Sequence, residues 1–201
     1  MTVQKPAETS VEIHELIRDR WSPRSFLDRP VPKEVLVSLF EAARWAPSCN
    51  NSQPWRFIIA TSDDADEYER MQSCVNERNQ LWTRLAPVIG FVCGYKMMAN
   101  DRPSPTHTYD SGMATAQLLL QATKHGVVVH QMAGILRDQV RETYAVPDDT
   151  DVICGFGLGY QGEASLLPDE LAEREVAPRV RQALTDMVFT GKFGSASPIV
   201  K

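Results

Sequence analysis

The chain has 201 residues, 43% of them hydrophobic and 23% charged, with a formal net charge of −5. This is enough for one domain with an ordinary core, and it excludes a disordered chain. The acidic balance argues against a general nucleic-acid footprint and against an anionic membrane surface, but leaves room for a local basic pocket.

Residues 1–10 are polar, lack an apolar signal core and read as a flexible lead. Val11 to Arg20 reads as a helix with Ile13, Leu16 and Ile17 on one face. It delivers Arg20-Trp21-Ser22-Pro23-Arg24-Ser25-Phe26, two arginines flanking a serine at a stride of two. A guanidinium is planar, permanently charged and matches phosphate oxygens with paired donors, and a hydroxyl adds another. The stretch is therefore a candidate anion cradle, stiffened by Pro23.

Pro32 and Glu34 open the next helix, whose stripe is Val35, Leu36, Leu39, Phe40 and Ala43, and Pro47 ends it. Pro47-Ser48-Cys49-Asn50-Asn51-Ser52-Gln53-Pro54-Trp55 is a polar loop able to offer amides and hydroxyls to a flat, heteroatom-rich ligand, or to cap its own backbone. A strand over Arg56–Ala60, an acidic helix over Ser62–Cys74 and a short helix over Asn79–Leu85 follow. Val88–Gly94 reads as a buried strand and Lys96–Thr108, with two prolines, as a mobile loop or lid. Tyr109–His125 is the most apolar helix, a central or interface element stopped at Gly126. Then come a strand over Val127–Val129, the stretch His130-Gln131-Met132-Ala133-Gly134, a helix over Arg137–Tyr144 and a strand over Val152–Tyr160. Gly155, Gly157 and Gly159 alternate on that strand, which predicts a close approach by another backbone. Residues 163–201 read as an extended arm of the same domain as the 11–162 core.

No GxGxxG stands between a strand and a helix, so a Rossmann nicotinamide site is not expected. The four cysteines and four histidines lack metal-ligand spacing, and no apolar run reaches the ~20 residues of a membrane span. A soluble cytoplasmic protein without a metal, a nucleic-acid partner or a membrane is expected.

Several of these segments, in this order, resemble the nitroreductase family of FMN-dependent oxidoreductases. The Arg20–Phe26 stretch is similar to the family's RxSxRxF phosphate motif, and Glu41–Trp55 to its helix and flavin loop. Asn79-Gln80-Leu81-Trp82, the Asp110–Gly126 helix and Arg179-Val180-Arg181 resemble further family segments. The likeness spans about residues 11–193.

The resemblance implies an α+β fold with a central mixed sheet flanked by helices, and a homodimer whose C-terminal arms are exchanged. It implies FMN at the subunit interface, NADH or NADPH as donor, and a small-molecule acceptor such as a nitroaromatic or quinone, in a ping-pong cycle. Arg20, Ser22, Arg179 and Arg181 would hold ribityl and phosphate oxygens, with Trp21 at the edge of the cofactor. Arg24 would stabilise negative charge on the flavin, so no catalytic side chain is required. Ser48, Asn51 and Gln53 would come from the other subunit, and Pro47 would also line the cofactor. Asn79, with Asn76 as its rival, would reach the ring's polar edge, and His130, Gln131, Met132 and Ala133 would run past it. Two departures stand out: Ala133-Gly134 replaces a frequent glutamate-glycine pair, and Cys49 replaces the usual second serine. A same-fold flavoenzyme with another reaction, such as dehalogenation or enal reduction, and an FMN-storing protein are the alternatives.

Overall fold

The computed structural model describes residues 2–98 and 101–200. Ala99 and Asn100, in the middle of the expected lid, lie outside the described residues. Four strands, β1 (Trp55–Thr61), β2 (Val88–Tyr95), β3 (Val128–Met132) and β4 (Thr150–Gly159), form one sheet in the order β1-β2-β4-β3. Every pairing among them is antiparallel, which corrects the expected mixed sheet. The reason lies in the last strand. β2 and β3 run in the same direction, joined by the long helix α5 (His107–Lys124) as a crossover would join a parallel pair. β4 inserts between them and is antiparallel to both.

Helices cover both faces. On one, α2 (Lys33–Arg44) and α5 pack Leu39, Ala43, Leu118 and Ala122 against Val88, Val92, Phe156 and Leu158. On the other, α3 (Ala65–Gln72), α4 (Glu77–Thr83), α6 (Arg137–Thr143) and α7 (Asp169–Val176) place Tyr68, Met71, Trp82, Val140 and Leu171 against Ile89 and Phe91. The alternation of β2 between these two clusters explains why its whole apolar run is buried.

α1 is only Glu15–Asp19, shorter than the expected Val11–Arg20 helix. It buries none of its residues, so no packing extends it. The N-terminal segment, expected to be flexible, carries defined contacts: Gln161 donates to the Val3 carbonyl, Ala7 N–H donates to the Arg18 carbonyl, and Lys5 sits 4.5 Å from the Trp21 ring centre. The arm, expected to be extended, turns helical at α7 and docks Leu167, Leu171 and Glu175 into the chain's own core. Beyond Ala177 it exposes apolar side chains, including Val180 and Phe193. After β2, Met97 bridges Pro103 and the Ser104 N–H donates to the Lys96 carbonyl.

The three alternating glycines of β4 meet side chains, not backbone, which corrects that expectation too. A Cβ on Gly155 would meet Met132 and Ile135, on Gly157 the Trp82 ring, and on Gly159 Pro87 and Phe26. The Trp82 ring lies 2.8 Å from that Gly157 position, in a site where Trp82 is 1% exposed and cannot retreat. Gly157→Ala is expected to lower stability by about 1–3 kcal/mol through overpacking, read by urea unfolding. Unchanged stability would contradict this packing of Trp82 on β4.

Candidate functional site

Arg20 leaves α1 in an extended conformation, and its Nη1 donates to Ser22 Oγ at 3.0 Å. Arg179, from the arm, donates through Nη1 to the carbonyls of Lys5 (2.6 Å) and Arg18 (3.2 Å). These bonds dock the arm on the end of α1. Arg181 follows two residues on, and Arg20 holds its proton less firmly than usual, first because it is half-buried and then because Arg179 and Arg181 repel it. Among the described residues, no carboxylate forms an ion pair with Arg20, Arg179 or Arg181. Three cations from both ends of the chain, Arg20 and Arg179 partly desolvated and Arg181 exposed beside them, with no carboxylate paired to them, suit an anion.

The next residues run toward β3. His130 Nδ1 lies 2.8 Å from the Ser22 carbonyl and 3.2 Å from that of Pro23. Carbonyls only accept, so Nδ1 carries the proton in the neutral ring. Burial, and then the charge of Arg24, push the His130 pKa down to about 4. With its ring centre 4.6 Å from that of Trp82, His130 is a neutral strut beneath residues 22–24. Trp21 is also largely buried, beneath Lys5. Arg24 is half-buried and holds its proton less firmly, through desolvation and then the repulsion of Arg174.

Past His130 the strand alternates. Met132 is buried and Gln131 is exposed, its Oε1 3.7 Å from Cys154 Sγ. Ala133 is exposed at the end of β3. Asn76 and Asn79 both reach Gly134: Asn79 Nδ2 donates to its carbonyl at 3.1 Å, and so does the Asn76 N–H at 3.2 Å. A Cβ on Gly134 would lie 2.5 Å from Asn76 Nδ2, so only glycine fits between these amides. Asn79 Oδ1 also accepts from Trp82 Nε1.

The polar loop lies elsewhere. Ser48 Oγ accepts the Gln53 N–H, Gln53 Nε2 donates to the Asn51 carbonyl, and Asn50, Asn51 and Gln53 all have positive φ. Three non-glycine residues in that region within four positions is a concentration of backbone strain of the kind found where a ligand is gripped. The loop, which begins at Pro47, precedes β1, at the opposite edge of the sheet from β3. Three inter-strand steps of ~4.8 Å separate those edges by about 14 Å. One chain therefore brings together Arg20, Ser22, Arg24, His130, Asn79, Arg179 and Arg181, but not Pro47, Ser48, Asn51 and Gln53.

Sequence reasoning missed two buried carboxylates. Asp110, 2% exposed in the first turn of α5, accepts the Cys49 N–H at 3.1 Å and the Thr106 hydroxyl at 3.0 Å, and so anchors the strained loop. Glu175, 1% exposed, accepts the backbone N–H groups of Arg24 and Ser25. An acid in a first helical turn is a visible signal for Asp110, whereas Glu175 sits among exposed charged neighbours that conceal it.

Fold and site together define an α+β protein with a cationic cradle assembled from both chain ends. The chain belongs to the nitroreductase family, whose model matches residues 17–80 and 72–160. A solved oxidoreductase containing FMN superposes with a TM-score of 0.89 at 38% identity, covering 97% of this chain and 100% of that one. A chloronitrobenzene nitroreductase of Comamonas testosteroni is 46% identical over 55 residues, 27% of this chain and 24% of that protein. A protein of Bacillus subtilis (strain 168), provisionally named an NAD(P)H nitroreductase, is 24% identical over 192 residues, 87% of this chain and 94% of its own length. Among the described residues no helix is long and apolar enough to cross a membrane, and no cluster of metal-ligating side chains occurs.

His130 generates a pH prediction. Its folded pKa of about 4 lies below the ordinary 6.5, so between these values the unfolded chain binds the extra proton. Stability is then complete above pH ~6.5 and falls as pH drops toward 4, by up to about 3 kcal/mol from this group. Urea titrations across that range should show this loss, and His130→Gln should flatten it. An equal loss in the variant would remove His130 as its source.

Proposed function

We propose that the protein is an FMN-dependent oxidoreductase that takes hydride from NADH or NADPH and reduces nitroaromatics, quinones or related electrophiles, working as a homodimer. The observation that carries this reading is the meeting of Arg20, Arg179 and Arg181 beside Ser22 with no carboxylate to neutralise them.

The donor set fits FMN in its chemistry. A phosphate dianion needs clustered guanidinium groups and a hydroxyl, which Arg20, Arg179, Arg181 and Ser22 supply. A flat ring with polar edges needs amides and exposed backbone, which Asn76, Asn79 and the Ala133-Gly134 turn supply. The FMN named for the solved relative at 38% identity supports the same cofactor. Bound FMN would supply hydride transfer. Arg24, already partly desolvated, is the residue assigned to favour negative charge on the ring. His130, neutral and hydrogen-bonded from below, keeps the segment that bears Arg24 in place. No side chain needs to shuttle a proton.

The placement of the strained loop and the cradle toward opposite edges of the sheet, whose outer strands lie about 14 Å apart, supports a second copy of the chain as the source of Pro47, Ser48, Asn51 and Gln53. Large apolar side chains exposed on or beside α2 and α5, namely Val37, Trp45 and Tyr109, support burial of that face against a partner. The arm beyond Ala177, with Val180 and Phe193 exposed, fits an embrace of the partner.

The purified protein should be yellow, or turn yellow with FMN, and anaerobic NADH or NADPH should bleach it. Steady-state rates with donor and a quinone or nitroaromatic should give parallel double-reciprocal lines. Intersecting lines would overturn the ping-pong cycle, and colour that resists both donors would favour a storage protein.

A further inference from the structure

The Glu175 carboxylate lies beside Arg24 and Lys5, and the reaction as described makes no use of it. It is 1% exposed in the last turn of α7. The Arg24 N–H donates to both of its oxygens, at 2.9 and 3.0 Å, and the Ser25 N–H donates to Oε1 at 3.2 Å. The Glu175 backbone carbonyl accepts from Lys5 Nζ at 2.8 Å. The charged groups facing it are Lys5 from the N-terminal segment and Arg24 from the cradle. Arg174 and Arg78 stand around Arg24, and Arg179 near Lys5.

The geometry explains why a lone acid is tolerated there. Two successive peptide N–H groups, those of Arg24 and Ser25, point at Glu175, while the two preceding carbonyls, those of Ser22 and Pro23, point at His130. Residues 22–25 are thus clamped between an anion on one side and an imidazole on the other. Charge-assisted bonds of this kind are the strong ones, and they fix the direction in which the Arg24 side chain departs. Burial holds the Glu175 pKa above the ordinary carboxylate value, against the pull of those N–H groups and of the cations.

We propose that Glu175 is a positioning residue of the cofactor site: it aims Arg24, and its charge offsets that of Arg24 and Lys5 beside bound FMN, tuning the cofactor's midpoint potential. This rests on the FMN reading above. Because a reduced flavin carries more negative charge than an oxidised one, each nearby cation raises the potential and each nearby anion lowers it.

The test measures the FMN dissociation constant and the midpoint potential in the full-length protein and in Glu175→Gln, Glu175→Ala and Glu175→Asp, with the exposed Glu173→Gln as control. Glu175→Gln keeps the shape and one acceptor but loses the charge, so the potential should shift positive with FMN affinity within about threefold. Glu175→Ala leaves two peptide N–H groups unpaired and should weaken FMN about tenfold or more. Glu175→Asp keeps the charge on a shorter arm and should weaken FMN with little shift in potential. Glu173→Gln should change neither quantity. A wild-type potential in Glu175→Gln overturns the proposal. Should that variant not fold, wild-type FMN affinity in Glu175→Asp overturns it instead. If wild-type protein binds FMN and the Glu175 variants match it, only this inference falls. If wild-type protein ignores FMN, the cofactor reading falls and takes this one with it.

Discussion

The gathering of Arg20, Arg179 and Arg181 from opposite ends of the chain is the constraint on which this molecule turns. Burying Arg20 beside Arg179 and Arg181 costs desolvation first and repulsion second, and no carboxylate pairs with it. What holds them together is backbone: Arg179 bonded to the carbonyls of Lys5 and Arg18, α7 docked through Leu171, and the N-terminal segment stitched beside it by Gln161 and Ala7. A fold that spends stability on gathering cations recovers it when an anion arrives, because binding to the native state alone stabilises that state.

The sheet decides what one chain can and cannot supply. By running between β2 and β3, β4 pushes β1 three strands away from the edge where His130 and Gly134 lie. The cradle and the strained Ser48–Gln53 loop therefore stand at opposite edges of one chain's sheet. Each is separately anchored, the first by Glu175 and His130, the second by Asp110. On the proposed dimeric reading, a two-fold axis would let each copy give one edge and receive the other.

Much of this was legible in the sequence, and the reasons differ by residue. The alternation of arginine and serine from Arg20 to Arg24 is local chemistry, visible without a fold. The buried run Val88–Gly94 and the apolar α5 announce a covered sheet and a helix against it. The pairing of β4 was hidden because alternation along a strand does not say which neighbour it takes, and a β-helix-β succession suggests the parallel pair that β4 splits. The glycines of β4 signalled a close approach but not that Trp82, Pro87 and Met132 make it. Glu175 was hidden because Glu170, Glu173 and Glu175 look alike in sequence, and only the docking of α7 singles out the one facing inward.

The most direct measurement compares the dissociation constants of FMN and riboflavin, which differ only by the phosphate, on one preparation at low and high salt. If the arginines of both chain ends hold that phosphate, FMN binds at least about 100-fold more tightly than riboflavin at low salt, and the gap narrows as salt rises. Equal affinity for the two flavins at low salt would contradict the account.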